Sequence, residues 1–496
     1  MNNFKILMVY PRYPDSFWSF KNAMRFISKK ATVPPLGLIT VASMIPEKWE
    51  KKLVDLNVSK LKTSDILWAD WVFISAMSIQ RDSAVMVIEE CVKNNRKMVA
   101  GGPLFTQDYA HFPQIDHFIL NEAEITLLPF LKDLKEGRPL QKVYNTLDYA
   151  DLTQTPIPDY GLLSMKDYVT MNLQVGRGCP FACDFCEITT LLGHKVRMKK
   201  TSQVLDDLEA LYRLNWSGPV LIVDDNFIGN KKEVKNSLLP AMNKWMKEHR
   251  YPFAFETQCS INLADDPEML ALMVATGFKS TFIGIETPDV VSLDECHKVQ
   301  NNKRDLLQSI KIIQGAGMQV SGGFIVGFDS DVPSIFQRQI DFIQQSGIVS
   351  AMVGILHAPK NTTLYKRLAG EKRLMHESSG NNTDASMNFI PKMNAAELLE
   401  GYRHVIDGIY SIKPYYQRVR RFLLTYRPMD AVKTKLRLAD FRSFFKLVYV
   451  IGIRNKGRRE FWKLFVWTLF RKPLLFKDAI QYAVYGYHFR IVYGIK

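Results

Sequence analysis

Long apolar runs are missing from this chain of 496 residues: charges interrupt every candidate before the roughly eighteen residues that cross a bilayer. That excludes an integral membrane protein. The opening MNNFKILMVYPRYP lacks the basic, apolar and small-residue order of a secretory signal, so the expected location is the cytoplasm. Internal repeats and low-complexity tracts are absent, and an apolar content of 47% excludes a disordered or fibrous chain. The length suits about two or three domains. Cysteine is scarce at six residues, and Cys91, Cys259 and Cys296 stand alone, as buried small hydrophobes of a reducing compartment do. Acidic residues are depleted in one place. Residues 411–496 hold twenty Lys and Arg against four Asp and Glu, a balance of +16 that leaves about −1 for the rest of a chain whose net charge is +15.

What is present is a regular alternation of strands and helices. KILMVY (5–10), WVFISAM (71–77) and KMVAGG (97–102) read as buried parallel strands, KKLVDL (51–56) as a weaker one, and RDSAVMVIEECVKNN has helical apolar spacing. After LTQTPIPDY (152–160), a proline-bearing linker, a second series follows. Six strands, from YVTMNLQVG to SAMVGILH, alternate with five helices. The expected fold class is therefore α/β: an N-terminal doubly wound, Rossmann-like domain (1–160), a partial (β/α)6 barrel (161–370) and a mainly helical basic region (371–496). In both α/β units ligands belong at the carboxyl ends of the strands. In the first unit these are Ser75, Ser78, Gly101 and Gly102, small residues that let a backbone approach a flat or phosphate-bearing ligand, or that simply turn the chain. ESSGNNTDAS (377–386) reads as a polar loop.

The other three cysteines, Cys179, Cys183 and Cys186, lie within GRGCPFACDFCEIT, on a loop leaving the first strand of the second series. A structural zinc site wants four ligands. A disulfide wants two cysteines and an oxidising compartment. Three thiolates on a tight loop suit a cubane iron–sulfur cluster that keeps its fourth iron open for a ligand.

The C-x3-C-x2-C spacing, with Phe185 before the last cysteine, is similar to that of the radical S-adenosylmethionine superfamily. The resemblance implies a 4Fe-4S cluster whose open iron binds S-adenosylmethionine and an external one-electron donor such as flavodoxin or ferredoxin. It also implies cleavage to methionine and a 5'-deoxyadenosyl radical. GGFIVGFD (322–329) resembles the superfamily's adenine-binding strand, with Ile325 on the base and Gly327 letting the backbone close, and Phe185 joins the same ligand. FIGIETPD (282–289) resembles the strand whose last residue reaches the nucleoside, which implies a ribose contact for Glu286, otherwise a rim carboxylate. VDDNFIGN (223–230) stands where a turn cradles the methionine amino group, which implies that role for Asp225 or Asp224, otherwise a helix N-cap.

The domain order resembles the cobalamin-dependent class. VPPLGLITVASMIPE, VDDNFIGNK, IETPDVVSL, GFIVGFDSD and IFQRQIDFIQQSGI together resemble its branch of hopanoid C-2 methylases and bacteriochlorophyll side-chain methylases. This implies cobalamin at Ser75, Ser78, Gly101 and Gly102, and methylation of an unactivated carbon of a hydrophobic acceptor, a hopanoid-like lipid or a tetrapyrrole. The Asp-x-His-x-x-Gly motif of many cobalamin proteins is absent: only His111 and His117 fall in the first domain, and neither fits it. No acid–base residue is required, and His194 is read as structural or as a pocket residue. Non-methylating radical chemistry, or a cobalamin or redox sensor, is the alternative.

In the tail, Phe441, Phe444, Phe445 and Val448 share one helical face, as do Phe461, Leu464, Phe465 and Leu469, with Lys and Arg between. Such helices lie on anionic membranes, or pack on the barrel as a cap with their charges in water. Nucleic acid is disfavoured as a partner, because the methylthiotransferases that act on transfer RNA carry three further cluster cysteines in their first domain, where this chain has only Cys91.

Overall fold

A computed structural model describes residues 3–381, 383–428 and 438–495. The N-terminal unit holds six parallel strands, β1 (Lys5–Tyr10), β2 (Glu50–Asp55), β3 (Trp71–Ser75), β4 (Lys97–Gly101), β5 (His117–Ile119) and β6 (Val143–Tyr144), in the order β2-β1-β3-β4-β5-β6. Alternate residues feed two separate cores, as a strand covered by helices on both faces requires. Leu7, Val9, Val72 and Ile74 enter one core, and Ile6, Met8, Trp71 and Phe73 the other. The sequence reading lacks β5 and β6, which at three and two residues are too short to show a period.

The second unit begins at β7 (Met171–Leu173). Two short strands, β8 (Gly176–Arg177) and β9 (Arg197–Met198), then pair antiparallel and pinch together the base of the cysteine loop. Strands β10 (Pro219–Ile222), β11 (Ala254–Gln258), β12 (Phe278–Glu286), β13 (Gln319–Val326) and β14 (Ala351–Ile355) complete an open parallel sheet in the order β7-β10-β11-β12-β13-β14. The helices between them, including Thr201–Arg213, Pro267–Thr276 and Ser334–Ser346, alternate with the strands as the periodicity predicts. Outward residues such as Val220, Phe255, Ile283, Ile285 and Val320 are fully covered by those helices, while the inward Leu221, Glu256, Phe282, Ser321, Ile325 and Met352 keep partial exposure. An open lumen follows from that alternation.

The C-terminal region is helical: Ala395–Tyr410, Ile412–Thr425, Leu438–Leu447 continuing as a π-helical turn over Val448–Arg454, then Arg458–Arg471 and Phe476–Val492. It is fixed to the start of β14 by Tyr410, whose hydroxyl donates to the Ala351 carbonyl (2.6 Å) and accepts from the Ala351 N–H (3.1 Å). Phe489 stacks on Phe17 with centroids 4.3 Å apart. Of the predicted tail faces, Phe461 and Leu464 are buried in this cap, while Phe445 and Leu469 stay exposed; the side chain of Phe441 lies outside the described residues. Among the described residues no helix is long and apolar enough to cross a membrane.

The two α/β units are joined by charge. Arg177 donates to Glu122 and Glu124 at 2.8 Å each, and Arg197 reaches Glu122 at 2.8 Å, all four side chains being largely buried. The connecting segment is packed down: Tyr160 is buried and its hydroxyl donates to the Asn172 carbonyl at 2.8 Å. Burial works against the charge of Glu124, but the Arg177 guanidinium outweighs it and holds the carboxyl below the ordinary 4.5. Between those two values the unfolded chain binds the extra proton, so stability from this contact is complete above about pH 4.5 and fades as pH falls through the native value. Protection of the amides around residues 122–124, corrected for the intrinsic pH dependence of exchange, should therefore fall on acidification, and Glu124→Gln should show the reduced protection already at neutral pH.

Candidate active site

The cysteine loop rises at the carboxyl ends of the barrel strands. Its entry requires glycine: Gly178 has φ +95°, and a Cβ there would sit 2.8 Å from the Lys195 carbonyl oxygen and 2.9 Å from that of Gly193. The close return of residues 192–195 is what compacts the loop. Cys179 N–H donates to Gly193 O (3.3 Å), and Cys186 N–H donates to Cys183 O (3.1 Å), which closes the turn between the last two cysteines. All three thiols are free and partly exposed, whereas Cys91, Cys259 and Cys296 are buried. Burial pushes the Cys186 thiol up to about 12 and raises that of Cys179, so these two keep their protons in the metal-free loop and a metal must displace them. Among the described residues no three Cys, His, Asp or Glu side chains form a group that could hold one metal ion. A structural zinc takes four ligands; a cubane with one open iron takes three thiolates, and the three free, partly exposed thiols on one loop are the donor set that fits it.

The loop is held from the other side by the segment after Glu286. Gln300 is buried and points its amide nitrogen at Cys183 Sγ (3.7 Å), a donor of the kind that tunes cluster sulfurs, and its carbonyl oxygen has no partner among the described residues. Asp184 N–H donates to Cys296 O (3.2 Å), and Asp184 pairs with His297 at 3.0 Å. Lys298 lies 6.0 Å from the centre of the Phe185 ring and donates to Glu286 Oε1 at 2.6 Å. Burial opposes the charge of Lys298, but Glu286, with Cys183 and Cys186 close by, raises its pKa above the ordinary lysine value.

Glu286 ends β12 with φ +65°, at a register irregularity against β13. It curls back over Gly284, where a Cβ would meet Glu286 Oε1 at 2.4 Å. Its second carboxylate oxygen has no hydrogen-bond partner among the described residues. Ile325 and Phe185 pack against one small apolar cluster of Cys296, Phe328, Leu356 and Leu364, so two of the nominated residues converge beside the loop. Gly327 has φ +101°, and its N–H donates to Asp331 at 2.8 Å. The paired aspartates divide. Asp224 is buried and accepts from Val175 N–H (2.8 Å), its carboxyl pushed to about 8 by burial, and so braces the base of the loop. Asp225 stays partly exposed, its carboxyl raised to about 6 by burial and then by Glu187, and is the one free to meet a ligand. Neither is a helix N-cap; the following helix is capped by Asn230. His194 is exposed.

Across the cleft stand the carboxyl ends of the first sheet, whose strand order reverses between β1 and β3. Ser75 lies at that point. Gly102 has φ +91°, and its missing Cβ would meet Ser75 Oγ at 2.9 Å and Ala76 O at 3.0 Å; that of Gly101 would meet Ile119 O at 2.8 Å. Both glycines are therefore required by the protein's own backbone. The 377–386 loop does more than the sequence reading gives it: a Cβ at Gly380 would lie 3.0 Å from that of Ser78, and Ser378 and Ser386 hold the two nitrogens of His357 at 3.2 and 3.5 Å. Gln107 crosses from the first unit to Glu187 on the cysteine loop (2.8 Å). Both sets of strand ends thus face one cleft.

The Radical SAM superfamily profile matches residues 173–343, and a domain of unknown function, DUF4070, matches residues 362–494. An uncharacterized methyltransferase of Synechocystis sp. is 38% identical over 98% of this chain and 91% of its own length. The hopanoid C-2 methylase of Rhodopseudomonas palustris is 30% identical over 99% of this chain and 93% of its own. The chain belongs to the radical S-adenosylmethionine methyltransferases. The solved structure of the cobalamin-dependent S-adenosylmethionine radical enzyme OxsB, with aqua-cobalamin and S-adenosylmethionine bound, superposes with a TM-score of 0.64 over 99% of this chain and 79% of that one at 14% identity, so it shares the fold. The sequence reading missed Lys298, Gln300 and Gln107. HKVQNNK carries no periodicity or spacing that marks it, and only the return of the chain past β12 brings it to the cysteines.

Proposed function

We propose that this methyltransferase places a methyl group on an unactivated carbon of a bulky hydrophobic acceptor, a hopanoid-like lipid or a tetrapyrrole, seated in the open lumen of the barrel. When bound, the cluster with S-adenosylmethionine supplies hydrogen abstraction, and cobalamin supplies the methyl group. Cys179, Cys183 and Cys186 would hold the cluster, Gln300 would donate to its sulfur side, and Phe185, Ile325, Gly327, Glu286 and Asp225 would line the S-adenosylmethionine site. Ser75, Ser78, Gly101 and Gly102 would face cobalamin across the cleft. The residues at the strand ends need move no proton to do this; they orient and exclude water.

The observation that carries the acceptor class is the lumen wall. Trp18 enters from the N-terminal unit, its ring 5.3 Å from that of Phe282 and its indole nitrogen 3.0 Å from Met352 Sδ. Gly323 lets Phe282 lie flat against β13, since a Cβ there would meet the ring at 2.8 Å. Beside Ser321, one charged group breaks the apolar lining, Glu256. It has no hydrogen-bond partner among the described residues, burial raises its carboxyl above the ordinary value, and it would meet a single polar group on an otherwise apolar acceptor. Similarity to the hopanoid methylase along the whole chain supports the lipid over the pigment.

A strain lacking the gene should accumulate a lipid or pigment lighter by one methyl, and the purified enzyme, reconstituted without oxygen, should restore it with turnover of S-adenosylmethionine. Unchanged lipid and pigment profiles, with no turnover on whole-cell extracts, would instead support the sensor reading.

A further inference from the structure

The helical region at 362–494 carries a surface that the methyl-transfer reading does not use. On the Leu438–Arg454 segment the exposed Phe445, Tyr449 and Ile453 recur every four residues, and on Arg458–Arg471 the exposed Trp462, Val466 and Phe470 do the same. Phe470 is 78% exposed and the neighbouring Leu474 81%, values that cost free energy in water unless something covers them. The stripes meet where Trp462 Nε1 donates to Gly452 O at 2.8 Å. At that junction lies an open groove of about 780 Å³, whose walls include Arg420, Arg458, Arg459, Lys463, Trp462 and Trp467. The guanidinium of Arg420 lies 4.8 Å from the centre of the Trp467 ring.

From this surface we infer that the helical region is an anionic-membrane docking module: Phe445, Tyr449, Ile453, Val466, Phe470 and Leu474 enter the lipid interface, and the cationic groove receives a lipid phosphate. Charge complementarity selects this occupant. Residues 411–496 carry +16 while the rest of the chain is near neutral. A second copy of the same surface would set cation against cation. Nucleic acid would answer the cations but leave the phenylalanines and leucine in water. A bilayer with anionic headgroups satisfies both, with the tryptophans at headgroup level.

The test uses the full-length protein with its cluster, sedimented with phosphatidylcholine vesicles or with vesicles in which a fraction of that lipid is replaced by phosphatidylglycerol. The protein should pellet with the anionic vesicles, remain soluble with the neutral ones, and release at high salt. Arg458→Glu with Arg459→Glu should weaken partitioning by about tenfold or more, as should Phe445→Ser with Phe470→Ser. Cluster absorbance unchanged in both variants shows that they fold. Equal pelleting with neutral vesicles, unchanged partitioning of either variant, or salt-sensitive binding to nucleic acid without binding to vesicles overturns the inference. Because partitioning is read without turnover, its failure is distinct from failure of the proposed methylation.

Discussion

Replacing Cys179, Cys183 and Cys186 together by alanine abolishes the iron–sulfur chromophore after anaerobic reconstitution, and with it all cleavage of S-adenosylmethionine, while the far-ultraviolet circular dichroism stays that of the native protein. The loop's shape does not depend on its sulfurs: Gly178, the β8–β9 pair and the Cys179 N–H to Gly193 O bond are backbone features that alanine retains. Each single alanine removes one of three thiolate ligands and should give a labile, substoichiometric cluster. Iron and sulfide analysis with electron paramagnetic resonance reads the result. A full complement of iron in the triple variant, or zinc in its place in the native protein, sinks the assignment.

Glu286→Ala lowers the stability of the metal-free protein by about 3–5 kcal/mol, because it strands the Lys298 ammonium in a largely buried site. The pair is 2.6 Å apart, with side chains 13% and 8% exposed, so water can do little to compensate. Glu286→Leu combined with Lys298→Met removes both charges and should recover most of that loss, since an apolar pair of similar volume has no ion to desolvate. Urea unfolding of the native protein, Glu286→Leu, Lys298→Met and the double variant measures the coupling. Equal destabilisation by the single and double variants would show that Glu286 acts through its strained backbone, φ +65°, and not through its charge.

The two results rest on different kinds of information. The cysteine loop was legible because its chemistry is written in consecutive residues: the spacing fixes which thiols share a turn, and Phe185 and Gly178 lie within the same few positions. The barrel was legible for a similar reason, since each strand and helix shows its own period and the right-handed crossover leaves few ways to connect them. β5 and β6 escaped because their pairing comes from neighbouring strands and not from a run of their own. Glu286 was nominated from its strand, but its partner Lys298 lies beyond an intervening helix and carries no local mark. The tail shows the limit most plainly. Periodicity placed Phe461 and Leu464 on an apolar face and could not say whether lipid or protein covers it; packing against the cap buries them and leaves Trp462, Val466 and Phe470 outside.

The sequence by itself determined the two parallel α/β units, the three-thiolate loop and the cationic tail, because each depends on residues close together in the chain. Tertiary structure alone decided that the ends of both sheets share one cleft, that Gln300 and Lys298 stand guard over the cysteines, and which face of the tail meets water. These are contacts between segments tens to hundreds of residues apart, and their free energy comes from burial and charge pairing that no local pattern encodes.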